Sequence, residues 1–377
     1  MRVGVVLEQC WHRVPGGTAF AALEQVRAVE ALARAHPGDV DVEQVGVAAR
    51  HRAPPPEPFR PSIPVRHLPL PRRLLYETWH RARWPKIERA TGPVDVIHAT
   101  GYAVPPPSRP LVATVHDLAW RHDPGNFTRN GVLFFEAGLR RVVADADRVL
   151  CPSQATLDDC VDAGIERSRI TRVPWGMTSR KVGPDEIDRV RERHGLAGTR
   201  YVLFVGTQEP RKNLGRLLDA VSRLPQRDVV LAVVGPKGWG EALAPRAEGL
   251  GDRVRLVGFV PTADLGPLYA GSAVVCYPSL VEGYGLPVAE ALGHGAAVVT
   301  SKGTATEELV ADGVGLAVDP TDTDAIAEAL SSVLDDDELA DRLRRAGLAR
   351  AAETTWETTA SMTVRAYEEV ASAGPRS

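Results

Sequence analysis

Twice along its length the chain alternates short, Val-rich apolar runs with longer stretches of helical periodicity, which restricts it to layered βα architecture. The first series runs Val3–Leu7, Val40–Val47, Val94–His98, Leu111–Val115, Arg148–Cys151 and Ile170–Val173. Helices are expected from about Thr18 to Ala35, Gly131 to Ala144 and Gln154 to Ala163. Pro174-Trp175-Gly176 ends the periodicity. A second series follows at Tyr201–Gly206, Val229–Gly235, Val254–Val257, Ala273–Tyr277, Ala297–Ser301 and Val314–Val318. Strands this uniformly apolar are buried on both faces, as in parallel sheets. At 377 residues the chain is too long for one ordinary core and suits two domains of about 180 residues each. The halves share a plan without a short repeat, which favours two Rossmann-like domains over a solenoid. The expected divisions are 1–178, 179–355 and a last segment 356–377, with the hinge near Trp175–Val182.

A formal charge of −3 argues against a dedicated nucleic-acid binder. Cys10, Cys151, Cys160 and Cys276 show no paired spacing, so neither a zinc site nor a disulfide framework is indicated and a reducing cytoplasm is the expected compartment. Glu8 stops the first apolar run short of signal-peptide length, and nowhere is there an 18-residue apolar run.

The richest stretch is Ser279–Gly295. It joins an apolar strand to a helix in which Pro287 is expected at the first helical position, where its missing N–H costs nothing. Gly283 and Gly285 let main chain approach a ligand closely, and the N–H groups of Gly285, Leu286 and the following turn make an anion pocket. Glu282 lies in the loop, and Glu290 leans back toward it from about one turn into the helix. Phosphates at one end of a ligand and clustered hydroxyls at the other would satisfy both carboxylates and the anion pocket, as in a sugar nucleotide. Alternatively, Glu290 complements the helix dipole and Glu282 is a solvated loop charge.

A second constellation, Gly206-Thr207-Gln208-Glu209-Pro210-Arg211-Lys212-Asn213, follows the first strand of the second half. Arg211 and Lys212 are expected to open a helix. Cations are unfavourable at a helix N-terminus, so an anionic ligand would explain them, and a guanidinium fork plus an ammonium can grip a diphosphate.

Together these strings resemble retaining glycosyltransferases of the family-4 type, whose donor domains carry two glutamates separated by seven residues, as Glu282 and Glu290 are. The resemblance implies a GT-B fold, α/β, with two facing Rossmann-like domains, a cleft between them, and a last helix crossing back to the first domain. It implies transfer of a sugar from a nucleoside diphosphate to an acceptor hydroxyl on a glycan, lipid or small molecule. GDP-mannose is the favoured donor, from likeness to mannosyltransferases bearing the Gly-Thr-x-Glu-Pro-Arg-Lys-Asn string, with UDP-sugars open. No cofactor and no metal are expected; Asp145-Ala-Asp147 falls at a helix end and Asp335–Glu338 on a late surface helix. By the same resemblance Arg211 and Lys212 hold the diphosphate, Glu290 the ribose, and Glu282 the transferred sugar. Gly283, Tyr284, Gly285 and Leu286 give main-chain contacts to sugar and phosphate. Gly258 and Phe259 lie along the base, and the turn Gly235-Pro-Lys-Gly-Trp-Gly240 matches mannosyltransferase-like relatives. Two departures stand out: Thr207 replaces an Arg common after the first glycine, and Glu307-Glu308 stands where Pro-Glu is common.

In the first half, Gly16-Gly17 lacks the Gly-x-Gly-x-x-Gly spacing of nicotinamide binders. The resemblance sets it against the donor diphosphate; otherwise it is a flexible turn. His98 and His116-Asp117 end two strands on the edge where ligands bind, and the resemblance sets His116 beside the transferred sugar as a catalytic residue, against an ordinary structural histidine. Prolines make Arg52–Pro71 an irregular insertion. Arg72–Ala90 is basic and aromatic. It either covers the core with arginines outward or lies peripherally on an anionic membrane at its inner face. Two other classes share these features: a sugar-nucleotide epimerase of related fold, and a noncatalytic sugar-nucleotide-binding protein.

Overall fold

In a computed structural model that describes residues 1–13, 15–238 and 244–373, without the side chains of 244 and 245, the apolar runs form two wholly parallel sheets. The chain divides into two compact units, Met1–Gly176 with Trp356–Ser377, and Met177–Thr355.

The first unit contains β1 (Arg2–Val6), β2 (Glu43–Ala48), β3 (Val65–His67), β4 (Val96–Ala99), β5 (Leu111–Thr114), β6 (Arg148–Cys151) and β7 (Ile170–Arg172), in the order β3-β2-β1-β4-β5-β6-β7. Side chains alternate across it. Val3, Val5 and Leu7 face a core shared with Leu23 and Val26 of the Gly16–Ala35 helix and with Tyr367 and Val370 of the Trp356–Ala373 helix. Val6, Val45 and Val47 face the opposite core with Leu75, Trp79 and Trp120. The last helix is thus part of the first unit. Its Tyr367 hydroxyl meets buried His98 Nδ1 at 2.7 Å, and its Thr363 accepts from Gln25 Nε2 at 2.8 Å.

The second unit contains β8 (Arg200–Val205), β9 (Val229–Val234), β10 (Val254–Gly258), β11 (Val274–Tyr277), β12 (Val298–Ser301) and β13 (Leu316–Val318), in the order β10-β9-β8-β11-β12-β13. Both sheets therefore repeat the doubly wound 3-2-1-4-5-6 order, with a switch point between β1 and β4 in one and β8 and β11 in the other. Strand order reverses there, and in open α/β sheets that point at the carboxyl edge is where ligands bind. Helix starts are fixed locally: Thr128, Ser153 and Asp322 accept N-cap bonds from Gly131, Thr156 and Asp324.

Three local expectations differ. The Arg52–Pro71 insertion holds β3, which the prolines permit because it is an edge strand pairing only with β2. The first long helix begins at Gly16 rather than Thr18, so Gly16 and Gly17 belong to its first turn. Arg211 and Lys212 do not open the Leu214–Arg223 helix; they lie in a 3-10 turn, Pro210–Lys212, separated from it by Asn213 in the left-handed region, φ 59°. Trp239 and Gly240 of the glycine-rich turn lie outside the described residues.

Candidate functional site

At the β8/β11 switch point, the turn after β8 and the loop after β11 meet. Asn213 fastens them: its Nδ2 donates to the Pro278 carbonyl at 2.9 Å and to the Pro320 carbonyl at 2.7 Å, tying together the carboxyl ends of three strands. Leu280 N donates to Arg211 O at 2.8 Å. Glu282 is thereby held against Arg211 and Lys212. Its Oε1 accepts from Lys212 Nζ at 2.5 Å, Ser279 Oγ at 2.7 Å and Arg211 at 3.2 Å. Burial pushes this carboxyl up, but the charges of Lys212 and Arg211 and the bonds from Lys212 and Ser279 outweigh it and hold the group at about 2. Glu282 is a fixed anion at any physiological pH. Lys212 also donates to the hydroxyl of buried Tyr277, whose ring stacks on Phe204.

This corrects the reason for two cations at that place. Arg211 pairs with Glu209 at 3.0 Å as well as with Glu282, so the protein's own carboxylates balance the charge. A diphosphate bound here would share donors with Glu282 instead of meeting unpaired cations.

Glu290 has different surroundings. Pro287 is the second residue of the Leu286–Gly293 helix, not the first, and Glu290 points from that helix toward Tyr269, whose hydroxyl donates to Oε2 at 3.0 Å. Burial raises its carboxyl to about 7 against the smaller opposing effect of that bond. Gly285 has φ +97°, and a Cβ there would lie 2.4 Å from Thr306 Cγ2, so both conformation and space require glycine. Gly283 and Tyr284 are buried, while Leu286 at the helix start is half-buried.

Along the same edge, Gly235 N donates to Gly258 O at 2.8 Å, and a Cβ on Gly235 would sit 2.1 Å from Gly206 O. The ends of β8, β9 and β10 therefore close on one another through main chain. Phe259 follows, 76 % exposed, the most open large apolar side chain among the described residues.

In the first unit, Gln9 Nε2 bridges the β1/β4 switch point to Thr100 Oγ1 at 2.6 Å. His116 Nε2 donates to Thr100 O at 2.9 Å, which fixes its tautomer and leaves Nδ1 for another partner. Burial lowers its pKa, against the Thr100 carbonyl and Asp117, so the ring is neutral. Asp117 accepts from Ala119 N at 3.0 Å and shapes the following turn. His98, by contrast, is enclosed between Tyr367 and Thr114, and burial lowers it to about 3. Asp145 pairs with Arg83 and Asp147 accepts from Leu111 N, so the Asp-x-Asp spacing is structural. Gly16 and Gly17 are exposed at the start of their helix.

Sequence alone did not single out Asn213, Tyr277 or Tyr269 as members of the site. Asn213 carried a signal, being polar directly before an apolar helix. The two tyrosines are buried, with their hydroxyls turned to Lys212 and Glu290.

Residues 186–350 match the family "Glycosyl transferases group 1", and residues 25–179 match "Glycosyltransferase Family 4". The chain is 31% identical over 282 residues to O-antigen chain mannosyltransferase B of Escherichia coli, covering 72% of this chain and 74% of that one. It is 31% identical over 280 residues to the MMP alpha-(1->4)-mannosyltransferase of Mycolicibacterium hassiacum, covering 69% of this chain and 65% of that one. In structure it is similar to Anabaena HepE, solved with UDP and glucose, with a TM-score of 0.76 at 20% identity over 98% of this chain and 100% of that one. With paired doubly wound units and a carboxylate-and-cation site at the second switch point, the chain belongs to the group 1, family-4 glycosyltransferases of GT-B fold.

Proposed function

We propose that this glycosyltransferase moves a sugar from a nucleoside diphosphate to an acceptor hydroxyl with retention at the anomeric carbon, and that GDP-mannose is its donor. The observation that carries this reading is the cluster of Glu282, Lys212, Arg211 and Ser279 at the β8/β11 switch point. Both relatives named above are called mannosyltransferases, which supports mannose, whereas HepE was solved with UDP, which makes UDP-sugars the rival donors.

In the proposed reaction the bond from the anomeric carbon to the diphosphate oxygen breaks and a bond to the acceptor oxygen forms on the same face. The acceptor proton passes to the departing diphosphate. Glu282, fixed as an anion, orients the sugar and stabilises positive charge developing at that carbon. Lys212 and Arg211 shift part of their hydrogen bonding to the leaving group as its charge grows. Glu290 accepts from ribose hydroxyls, and neutral His116 shares the catalytic work. Because donor binding uses cations of the chain, turnover is expected to persist in excess chelator; complete loss restored by Mg²⁺ would refute metal independence.

The test is mass spectrometry of a donor panel with and without acceptors, with the anomeric configuration of the product read by NMR. Interconversion of the donor sugar without acceptor would make the protein an epimerase, and nucleotide binding without turnover a noncatalytic sensor. Residue roles are tested by calorimetry beside steady-state kinetics. Glu290→Ala should mainly raise the donor KM, and Glu282→Ala should lower kcat, each about ten- to a hundredfold for a lost charged contact of roughly 1.5–3 kcal/mol.

A further inference from the structure

The segments that follow β1, β2 and β3 at the carboxyl edge enclose a cavity that takes no part in the reaction as proposed. Its volume is about 370 Å³, within the range of small-ligand sites, and its lining includes Trp11, His51, Arg52, Pro55, Pro61 and His67. Behind His51, Glu8 is fully buried, so its oxygens need partners from the protein. Oε2 accepts from Ala49 N at 2.7 Å and Oε1 from His51 Nε2 at 2.9 Å. That bond places a proton on His51 Nε2 and, in the neutral ring, leaves Nδ1 as an acceptor. His67 is fixed the other way round: Nδ1 donates to Ala49 O at 2.6 Å, which leaves Nε2 as the acceptor. Neither outer nitrogen has a hydrogen-bond partner among the described residues.

Trp11 supplies an apolar platform. Its indole lies parallel to His51, centroids 4.8 Å apart and planes at 9°, while His67 meets it edge-on at 5.6 Å and 84°. The centroids of His51 and His67 are 6.0 Å apart, too close for the two to cap opposite faces, so one indole face carries neither ring. The platform is tied down at both ends: Trp11 Nε1 donates to Ala53 O at 2.9 Å, and Arg72 donates to Trp11 O at 3.2 Å. A wall ordered by its own hydrogen bonds spends little further entropy on binding.

This mixture selects a sugar ring. The negative face of an indole attracts the weakly positive C–H face of a pyranose, and imidazole nitrogens that accept take hydrogens from hydroxyls around its rim. A fully ionised phosphate or carboxylate has no hydrogen to give those nitrogens, and a hydrocarbon would leave them unmatched. Arg52 adds donors for the hydroxyl oxygens, while Arg60 is paired with Glu57 at 3.2 Å. The cavity is also joined to the reacting region of its unit. Trp11 closes the 3-10 turn Glu8–Trp11, and Gln9 of that turn bonds to Thr100, whose carbonyl holds His116.

We propose that the cavity binds a sugar of the acceptor other than the one that reacts, so that the acceptor is a glycan of two or more sugars with one ring on Trp11. The inference rests on the proposed reaction for the place of His116 beside the transferred sugar.

Saturation-transfer NMR of the full chain is run with methyl glycosides of mannose, glucose, galactose and N-acetylglucosamine beside a disaccharide of each. At least one disaccharide should be saturated on both rings and bind more tightly than its monosaccharide. Trp11→Ala should weaken that binding about tenfold, and Trp11→Phe less, since it keeps an apolar face. His67→Ala, at an exposed residue, should weaken it about three- to tenfold for one lost hydrogen bond, with an unchanged thermal melt. Calorimetric affinities for GDP and UDP should be the same in all three variants. Silence across the panel, or undiminished disaccharide binding in Trp11→Ala and His67→Ala, would overturn the subsite. A GDP affinity that falls in Trp11→Ala, with GDP displacing the disaccharide, would give the cavity to the donor instead. Disaccharide binding that needs Trp11 would uphold the subsite even if no sugar nucleotide were turned over, an outcome that would refute the proposed reaction alone.

Discussion

Glu282 and Glu290 are the same residue type seven residues apart, and their surroundings drive them in opposite directions. Glu282, held at about 2 by two cations despite burial, contributes stability that is complete above its ordinary 4.5 and is lost as pH falls toward 2. Glu290, raised to about 7 by burial, contributes stability below 4.5 that is lost as pH rises through 7. Donor binding should run against the second trend, because ribose hydroxyls donate best to an ionised carboxylate. The donor KM is therefore expected to fall as pH rises from about 6 to 8, and Glu290→Gln to remove that dependence while raising KM throughout. A pH series of initial rates decides it: a wild-type KM flat across that interval would separate Glu290 from the donor.

At the scale of elements, the loop after β11 is held by backbone geometry as much as by charge. Gly285→Ala imposes φ +97° on a residue with a Cβ and drives it against Thr306, whereas Gly303→Ala imposes φ +74° in open space. The first should cost about 1–3 kcal/mol in denaturant melts, from strain plus contact, and should weaken donor binding; the second should cost less and spare binding. Similar losses in the two variants would show that Thr306 simply moves aside. Phe259, 76 % exposed beyond β10, has little packing to lose. Phe259→Ala should leave the melt unchanged and raise the donor KM about tenfold if the ring stacks on the base, as aromatic stacking is typically worth about 1–3 kcal/mol. An unaltered KM would remove Phe259 from the base side.

Across the whole molecule, the chain leaves the first unit after Gly176 and returns at Trp356, so the two ends of the sequence complete one core. Tyr367, Val370 and Ala366 fill the face formed by Val3, Val5 and Leu7, and Tyr367 satisfies His98. Removing residues beyond Thr355 should therefore destabilise the first unit selectively, lowering its calorimetric transition, the first, while the transition of the second unit stays in place. Tyr367→Phe should lower the first transition alone, since it leaves His98 Nδ1 without its partner at a cost of about 1–3 kcal/mol. A truncated chain that melts as one unit at the parent temperature would contradict that dependence.

Strand identity, helix periodicity and the parallel architecture were legible in the sequence because each depends on near neighbours: β-branched runs such as Val229–Val234 have no polar face to offer water. The Glu282-to-Glu290 spacing was equally local, lying within one loop and one helix. Edge strand β3 was not legible, because prolines hide a strand whose pairing depends on β2 alone. What only the tertiary structure decided was which charges meet. Arg211 and Lys212 read as cations awaiting a ligand until Glu282, some seventy residues on, and neighbouring Glu209 proved to balance them. His98 and His116 end adjacent strands and look alike in sequence. One is sealed by Tyr367 from the far end of the chain and the other stays half-buried at the sheet edge. Burial and long-range pairing set the charge state of a side chain, and neither is a property of its immediate sequence.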